Sequence, residues 1–186
     1  EVHAELEPSG TELGIQLERG SRKRATLNQA SLPRASDLIG RQPIVTFSNT
    51  DLPIIREGAL HRRLFLDTEL SQLYPAYLHH LTVYRRALDH RNALLKQDPP
   101  ADRTLLETWE DQLSTHGDAI RDYRQRFIAA LQPEAERVQE ALGAGETIRL
   151  EYEMADPGPL GETLPQNRHQ DLRRGTTTVG PHRDDF

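Results

Sequence analysis

The chain has 186 residues, of which 35% are hydrophobic and 28% charged, and a formal net charge of −6; this length suits one domain, or one domain with an appended lobe. It contains no cysteine, which excludes disulfides, thiolate metal sites and cysteine nucleophiles. The sequence has no run of roughly 18 apolar residues, and no basic start followed by an apolar stretch indicates a secretory signal, so we expect a cytoplasmic protein with no membrane partner.

The first third of the chain predicts antiparallel strands. Residues 2–7 and 12–18 alternate apolar and polar side chains around a Pro-Ser-Gly turn at 8–10, which predicts a hairpin. Residues 22–28 predict a third strand, and residues 43–48 predict a short internal strand.

The middle of the chain predicts helices. Beyond Gly58, leucines recur near a 3.6-residue period until Pro75 interrupts the pattern, and a long helix follows over 76–96. A Pro-rich break at 97–100 separates it from a second long helix over 102–131. Because the break is short, we expect the two long helices to pack antiparallel as a hairpin.

Two residues predict irregularities in the second long helix and after it. Gly117 predicts a weak point or a kink. Pro133 occupies a first-turn position, which predicts a separate, shorter helix from there through Leu142.

The last part of the chain predicts a return to strands. Residues 147–153 alternate like a strand, 156–169 predict a Pro/Gly-rich polar loop, and the β-branched run at 176–179 predicts a strand that stops at Gly180. The chain begins at Glu1 inside a strand-like pattern and its sole methionine is Met154, from which we expect an excised segment of a longer protein.

This order of strands, helices and strands predicts a sheet-containing domain interrupted by a helical insertion. We expect an α/β fold, or α+β for this segment taken alone. The expected parts are a strand-rich part at 1–57, a helical lobe at 58–142 and a return segment at 143–186.

Several blocks of the sequence resemble one family. The block Gly175-x-Thr-x-x-Gly-Pro-His-Arg-Asp-Asp185, preceded by Phe47-Ser-x-x-Asp-Leu52, Gly58-x-x-x-Arg-Arg-x-Phe-Leu-Asp67 and Tyr84-x-x-Ala-Leu-x-x-Arg-Asn-x-Leu-Leu95, is similar in kind and order to the RecF family of bacterial recombination mediators. The resemblance covers almost the whole chain. It implies part of an ABC ATPase-like head with antiparallel strands, interrupted by a helical lobe.

The sequence also departs from that family. Family members carry Ser-Pro-Glu-Asp-Leu where this chain has Ser48-Asn-Thr-Asp-Leu52, so only the serine, the aspartate and the leucine are carried over. The phosphate-binding pattern Gly-x-x-x-x-Gly-Lys-[Ser/Thr] is missing, as are the ABC signature and the Walker B acids. We therefore expect this segment alone to neither bind nor hydrolyse ATP.

The resemblance also implies an activity, cofactors and partners for the full-length members of the family. It implies a slow DNA-dependent ATPase that uses ATP and Mg²⁺, forms an ATP-dependent homodimer and binds double-stranded and gapped DNA. It also implies a partnership with RecR in loading RecA during gap repair. The competing hypothesis is a non-enzymatic helical module that binds proteins and has no nucleic-acid role.

Candidate DNA contacts lie in the basic part of the helical region. Residues 56–96 hold seven basic and four acidic side chains, whereas 97–142 hold five basic and ten acidic ones. Arginines on a helix can pair with phosphates, or they can form a solvated face with partners such as Asp89 and Asp67 four residues away. The candidates are Arg62, Arg63, Arg85, Arg86 and Arg91.

Candidate nucleotide-proximal or coupling residues lie in two of the family-like blocks. The RecF resemblance implies that the block at 180–185 lies near the ATPase core, and that Asp51 belongs to a segment joining the two lobes. The alternatives are a strand-end turn with a local Arg–carboxylate pair, and a helix cap at Asp51. No metal site is expected. The candidates are Ser48, Asp51, His182, Arg183, Asp184 and Asp185.

Overall fold

The computed structural model describes residues 2–6, 9–97, 103–143 and 145–186. Two compact units are present, Glu1–Thr46 with Ser71–Pro75, and Phe47–Leu70 with Ala76–Phe186. The elements are β1 (Val2–Leu6), β2 (Thr11–Gln16), β3 (Arg24–Leu27), β4 (Ala30–Ser31), α1 (Pro53–Arg56), α2 (Ala59–Leu73), α3 (Pro75–Leu95), α4 (Arg103–Leu142) and α5 (Leu160–Arg174), with short 3₁₀ turns at Ala35–Leu38 and Asn49–Asp51.

The first unit is built on a four-stranded antiparallel sheet in the order β1-β2-β3-β4. β1 and β2 form the predicted hairpin, and β3 is the predicted third strand. The short β4 was not predicted; Asn28 and Gln29 turn the chain into it with φ of 49° and 65°, as a two-residue hairpin requires. The Asn28 side chain also accepts a hydrogen bond from the N–H of Glu12 at 2.8 Å.

The second unit contains the predicted helical hairpin. Contacts between α3 and α4 run in opposite directions along the chain: Tyr77 packs on Tyr123, His80 contacts His116, and Arg91 contacts Glu110. The antiparallel arrangement is therefore confirmed. The proline-rich break lies largely outside the described residues.

Among the helices of the described ranges, none is long and apolar enough to cross a bilayer.

The prediction that a new helix begins at Pro133 is wrong, because α4 continues through this residue to Leu142. Proline removes one backbone hydrogen bond from a helix interior. Buried side chains on the same helix, such as Leu113, Ile120 and Ile128, fix its position before the proline, which compensates for the missing bond.

The strand predicted over 147–153 is also wrong. Only Glu153 forms a bridge, with Asp185. The side chain of Gln132 on α4 donates to the carbonyl of Ile148 at 3.0 Å and accepts from the N–H of Leu150. A glutamine amide thus takes the place of a neighbouring strand.

The loop predicted over 156–169 is replaced from Leu160 onward by α5. Leu160 and Leu164 are buried, and their four-residue spacing is the helical signal that Pro159 and Pro165 obscured. The helix ends at Gly175, whose φ of 64° favours glycine.

The internal strand predicted over 43–48 does not form. Val45 is 88% and Phe47 94% exposed, and no described strand pairs with this run. An apolar sequence pattern needs a partner strand to become an internal strand.

Gly117 is a close-packing position rather than a kink, since α4 passes through it as helix. A Cβ at this position would lie 2.4 Å from Leu160 Cδ1 and 2.9 Å from Tyr84 Cε2. The absence of a side chain therefore lets α4 approach both α5 and α3.

We predict that Gly117→Ala lowers the free energy of unfolding by about 1–3 kcal/mol through overpacking, although alanine alone favours a helix by about 1 kcal/mol. Gly161→Ala on α5 is the matched control, because its Cβ would meet Ser114 at an ordinary 3.9 Å. Chemical denaturation of both variants checks this, and equal stability of the two would contradict it.

Candidate functional site

The carboxylate of Asp184 is buried and fully hydrogen-bonded. Arg121 donates to it from Nε at 2.8 Å and from Nη2 at 3.1 Å, while the Tyr152 hydroxyl and the N–H of Ala155 donate at 2.7 and 3.1 Å. Arg121 also pairs with Asp156. Burial opposes the charge of Arg121, but the hydrogen bonds to both carboxylates outweigh it and raise its pKa above the ordinary value.

A second buried cluster is centred on Asp67 of α2. Its Oδ1 accepts from the Tyr77 hydroxyl at 2.5 Å and from Arg124 Nη2 at 2.7 Å, and its Oδ2 accepts from Arg85 at 2.8 Å. Arg124 is 2% exposed and donates from Nη1 to the carbonyl of Pro181 at 2.7 Å. The cluster therefore ties the 180–185 block to α2, α3 and α4.

A third buried cluster surrounds Arg91, which is 0% exposed. Its guanidinium donates to Glu110 at 2.9 Å, to Asp171 at 2.7 Å and to the Thr177 hydroxyl at 2.9 Å. Glu110 in turn accepts from Arg168 at 2.6 Å. Two buried carboxylates balance the buried cation, as charge burial requires.

The run 176–179 is a loop held by side chains, not the predicted strand. Asn92 accepts from the N–H of Thr177 at 2.7 Å, and Asp171 accepts from the N–H and the hydroxyl of Thr178 at 3.0 and 2.6 Å. The backbone N–H groups that would pair with a neighbouring strand are therefore bonded to side chains instead.

His182 is neutral. Its Nε2 lies 3.1 Å from the carbonyl of Thr177 and its Nδ1 lies 2.7 Å from the Tyr84 hydroxyl. Because a carbonyl only accepts, Nε2 carries the proton and Nδ1 accepts from Tyr84. Burial lowers the pKa of His182 to about 4, and burial likewise raises the pKa of Tyr84.

Asp185 forms a two-point pair with Arg62, at 2.6 and 2.9 Å. Arg62 also donates from Nη1 to the carbonyls of Ile54 and Glu57 at 3.0 and 2.9 Å. The hydrogen bond from Arg62 holds the pKa of Asp185 below its ordinary value. This pair fastens the end of the block to the segment that precedes α2.

Arg63 and Arg183 have fewer partners. Arg63 donates from Nη1 to the carbonyl of Asp184 at 2.8 Å, and burial together with the nearby Arg124 and Arg183 lowers its pKa. Arg183 is exposed and donates to the carbonyl of Thr177 at 3.1 Å.

Ser48 and Asp51 form a helix cap. The Ser48 hydroxyl accepts from the N–H of Thr50 at 3.2 Å, and Asp51 accepts from the N–H of Ser48 at 2.7 Å. This reciprocal arrangement is a capping box. The geometry matches the capping alternative, with Ser48 rather than Asp51 at the cap position.

The five candidate DNA contacts therefore differ in accessibility. Arg91 is 0% exposed and has no surface to offer a phosphate. Arg62 is committed to internal partners. The Arg85 side chain is 59% exposed beside Asp67, not paired with Asp89, and Arg86 is exposed.

A cleft of about 330 Å³ opens beside the block. Leu60, Leu64 and Leu88 contribute apolar lining, and Arg63, Arg85 and Arg124 contribute charge. Asp67 also lines the cleft. It pairs with Arg85 and Arg124, so the lining keeps a net positive charge and is partly apolar.

The described ranges hold no group of three His, Cys, Asp or Glu side chains arranged for a metal ion. His80 and His116 bring their Nδ1 atoms to 2.9 Å, and burial lowers the pKa of both. The two Nδ1 atoms therefore form a hydrogen bond with each other between α3 and α4, and neither needs a ligand as its partner.

The residues that hold the block and the buried Arg91 were not predicted from the sequence. Arg121 and Arg124 follow the core residue Ile120 by one and four positions, and Glu110 lies between the core residues Leu106 and Leu113. Their positions on the apolar side of α4 are the signal that could have identified them as buried.

No family model matches the chain. The chain is 33% identical over 184 residues to the DNA replication and repair protein RecF of Lactococcus lactis subsp. cremoris, a match covering 97% of this chain and 51% of that protein. It is 35% identical over 193 residues to the RecF protein of Chlorobium phaeobacteroides, covering 95% and 53%.

A solved structure of the recombination mediator protein RecF-ATP in the RecFOR pathway superposes with a TM-score of 0.86 at 26% identity, covering 94% of this chain and 50% of that one. A RecF-ATPrS structure gives a TM-score of 0.83 at 25% identity. The chain spans about half the length of the curated relatives it matches.

We predict that Asp184→Asn lowers the free energy of unfolding by about 3 kcal/mol, because it replaces one of the two carboxylates that balance the buried Arg121 with a neutral amide. The control is Asp122→Asn, which breaks an exposed pair with Arg126 and should cost at most about 0.5 kcal/mol. Urea denaturation at neutral pH compares them. A small effect at Asp184 would contradict its structural role.

We predict that stability falls as the pH drops from about 6.5 toward 4. In the unfolded chain His182 takes up a proton near the ordinary pKa of 6.5, whereas in the folded chain its pKa is about 4. Between these values the proton binds preferentially to the unfolded state. The free energy of unfolding therefore falls by about 3 kcal/mol over this range. His182→Gln should lose that part of the pH dependence. Unfolding free energies of both proteins at several pH values measure it, and identical pH profiles would contradict it.

Proposed function

Because this chain belongs to the RecF family, we propose that it forms the DNA-binding and coupling portion of a RecF-type recombination mediator, acting in the cytoplasm in gap repair and RecA loading. The observation that carries the proposal is the extent of the likeness: 33% identity over 97% of the chain, and a TM-score of 0.86 to a RecF structure. The mixed α/β fold, with antiparallel strands and a helical lobe, is that of an ABC ATPase-like head.

ATP, with Mg²⁺, is the proposed cofactor of the intact protein. A solved relative is a RecF-ATP structure, but no residue set of this chain fits a phosphate loop, because the glycine-rich lysine pattern is missing from the sequence. The chain therefore contributes no catalytic step in this proposal. RecR and a second copy of the protein are the proposed protein partners, the latter in an ATP-dependent dimer.

The 180–185 block is proposed as the coupling element. Asp184 joins it to α4 and Asp185 joins it to Arg62 of α2, while His182 joins it to α3. A displacement of this block would strain all three contacts, so it can transmit a change between neighbouring elements. Ser48 and Asp51, which shape the start of the second unit, are proposed to belong to the same coupling path.

The proposed DNA contacts are the accessible arginines of α3. Arg86 is exposed and has no acidic partner within the described ranges, and most of the Arg85 side chain is exposed. Arg63, which has one internal acceptor, is a secondary contact. Phosphate pairing of this kind is independent of sequence and weakens steeply with salt.

We predict that Arg85→Gln with Arg86→Gln reduces the slope of log affinity against log salt by about 1–2 for duplex DNA. Arg126→Gln with Arg137→Gln removes the same charge from two exposed ion pairs and should leave the slope nearly unchanged. Fluorescence anisotropy of a labelled duplex across a salt series gives both values.

If the unmodified protein does not bind duplex DNA even at low salt, the DNA proposal fails and the helical interaction module is favoured. Repeating the titration with ATP tests coupling in the intact protein. Arg183→Ala should remove the ATP-dependent gain in affinity while preserving nucleotide-free binding, and an unchanged gain would contradict the coupling role.

A further inference from the structure

We propose a second phosphate-binding surface at the point where α3 and α5 end, formed by Lys96, Arg173 and Arg174 and called here the Gly175 surface. Its ligand is the phosphodiester backbone of duplex DNA, and the inference rests on the proposed function. None of its residues belongs to the candidate set on α2 and α3.

The two helix ends adjoin at Gly175. A Cβ at Gly175 would lie 3.3 Å from Lys96 Cγ, so the lysine stem passes directly over the residue that ends α5. Arg173 and Arg174 occupy the last turn of the same helix. Lys96, which follows α3, therefore lies beside the end of the helix whose last turn carries two arginines.

These cations lack acidic partners within the described ranges. Lys96, Arg173 and Arg174 are all exposed, and none takes part in an ion pair there. Other exposed arginines of this unit do have nearby partners: Arg103, Arg126, Arg137 and Arg149 each pair with an acid two to four residues away.

The surroundings of the surface add little negative charge. Asp171 is the sole acid between residues 168 and 183, and its carboxylate is fully buried against Arg91. Asp98, the next acid after Lys96 in sequence, lies outside the described residues. The described surface is thus a local excess of positive charge on a protein whose net charge is −6.

Hydrogen bonds hold the backbone next to the surface. The N–H of Gly175 donates to the carbonyl of Asp171, and Asn92 and Asp171 hold the N–H groups of Thr177 and Thr178 at 2.7 and 3.0 Å. A surface whose backbone is already ordered loses less entropy when it binds a ligand. The same loop accepts hydrogen bonds from His182 and Arg183 at Thr177, which places the surface next to the coupling block.

Cations at helix ends also have a purely structural explanation, since they interact favourably with the negative end of the helix dipole. That explanation predicts a loss of stability without a change in DNA affinity. Phosphate binding predicts a loss of affinity and a shallower salt dependence at nearly constant stability. The two are separated by measuring both quantities on the same variants.

The test is a triple variant of the intact protein, Lys96→Gln with Arg173→Gln and Arg174→Gln, measured against a labelled duplex. We expect the salt slope to fall by about 2–3 and the affinity at about 0.1 M salt to fall at least tenfold. The matched control is Arg126→Gln with Arg137→Gln and Arg149→Gln, which removes three charges from exposed ion pairs. A second variant, Arg173→Lys with Arg174→Lys, keeps the charge and should keep the slope.

Each outcome of these measurements supports or overturns the Gly175 surface. Loss in the triple variant, with the control and the lysine variant unaffected, supports the Gly175 surface. Equal behaviour of the triple variant and the control overturns it and leaves the proposed function standing. A melting temperature lowered in the triple variant with an unchanged slope supports the dipole explanation instead. Failure of the unmodified protein to bind the duplex overturns both proposals.

Discussion

Buried guanidinium groups are the constraint on which the second unit depends. Arg91, Arg121 and Arg124 are at most 4% exposed, and a charge without water is tolerated only where carboxylates and carbonyls surround it. The partners of these three arginines come from α2, α3, α4, α5, the segment before α5 and the last fifteen residues of the described chain. The hydrogen bonds and ion pairs that these arginines need therefore fix the positions of segments outside the helices, such as the 180–185 block.

The block at 180–185 shows how this constraint produces a shape without a strand. Its carbonyl at Pro181 and its carboxylates at Asp184 and Asp185 each meet an arginine from a different position on the helices. The twelve-residue stretch that ends the chain thus has a defined conformation, although an isolated bridge at Asp185 is its sole ladder contact in the described ranges.

Helical periodicity made α2, α3 and most of α4 predictable, because their leucines and aromatics repeat with the helix. The same periodicity also indicates which charged residues lie on the buried face of a helix. Arg91 lies seven residues after Tyr84 and four before Leu95, on the buried stripe of α3. Treating arginine as a solvent-facing residue hid this position and made Arg91 a candidate phosphate contact.

Strand prediction failed for a different physical reason. β-branched and alternating residues at 147–153 and 176–179 have the local preferences of strands, but a strand also needs backbone partners. Here side chains supply them: Gln132 serves the first run, and Asn92 and Asp171 serve the second. Such long-range side-chain bonds leave no periodic signal in the sequence.

The long sequence separations of these pairs bear on how the chain assembles during synthesis. Arg62 pairs with a residue 123 positions later, and Arg121 pairs with one 63 positions later. While the ribosome has produced only α2 to α4, Arg121 has neither Asp156 nor Asp184, and its site must stay hydrated. The helical hairpin therefore reaches its dry, packed state only after residues 156–185 have emerged, so its final packing comes later than the synthesis of its two helices.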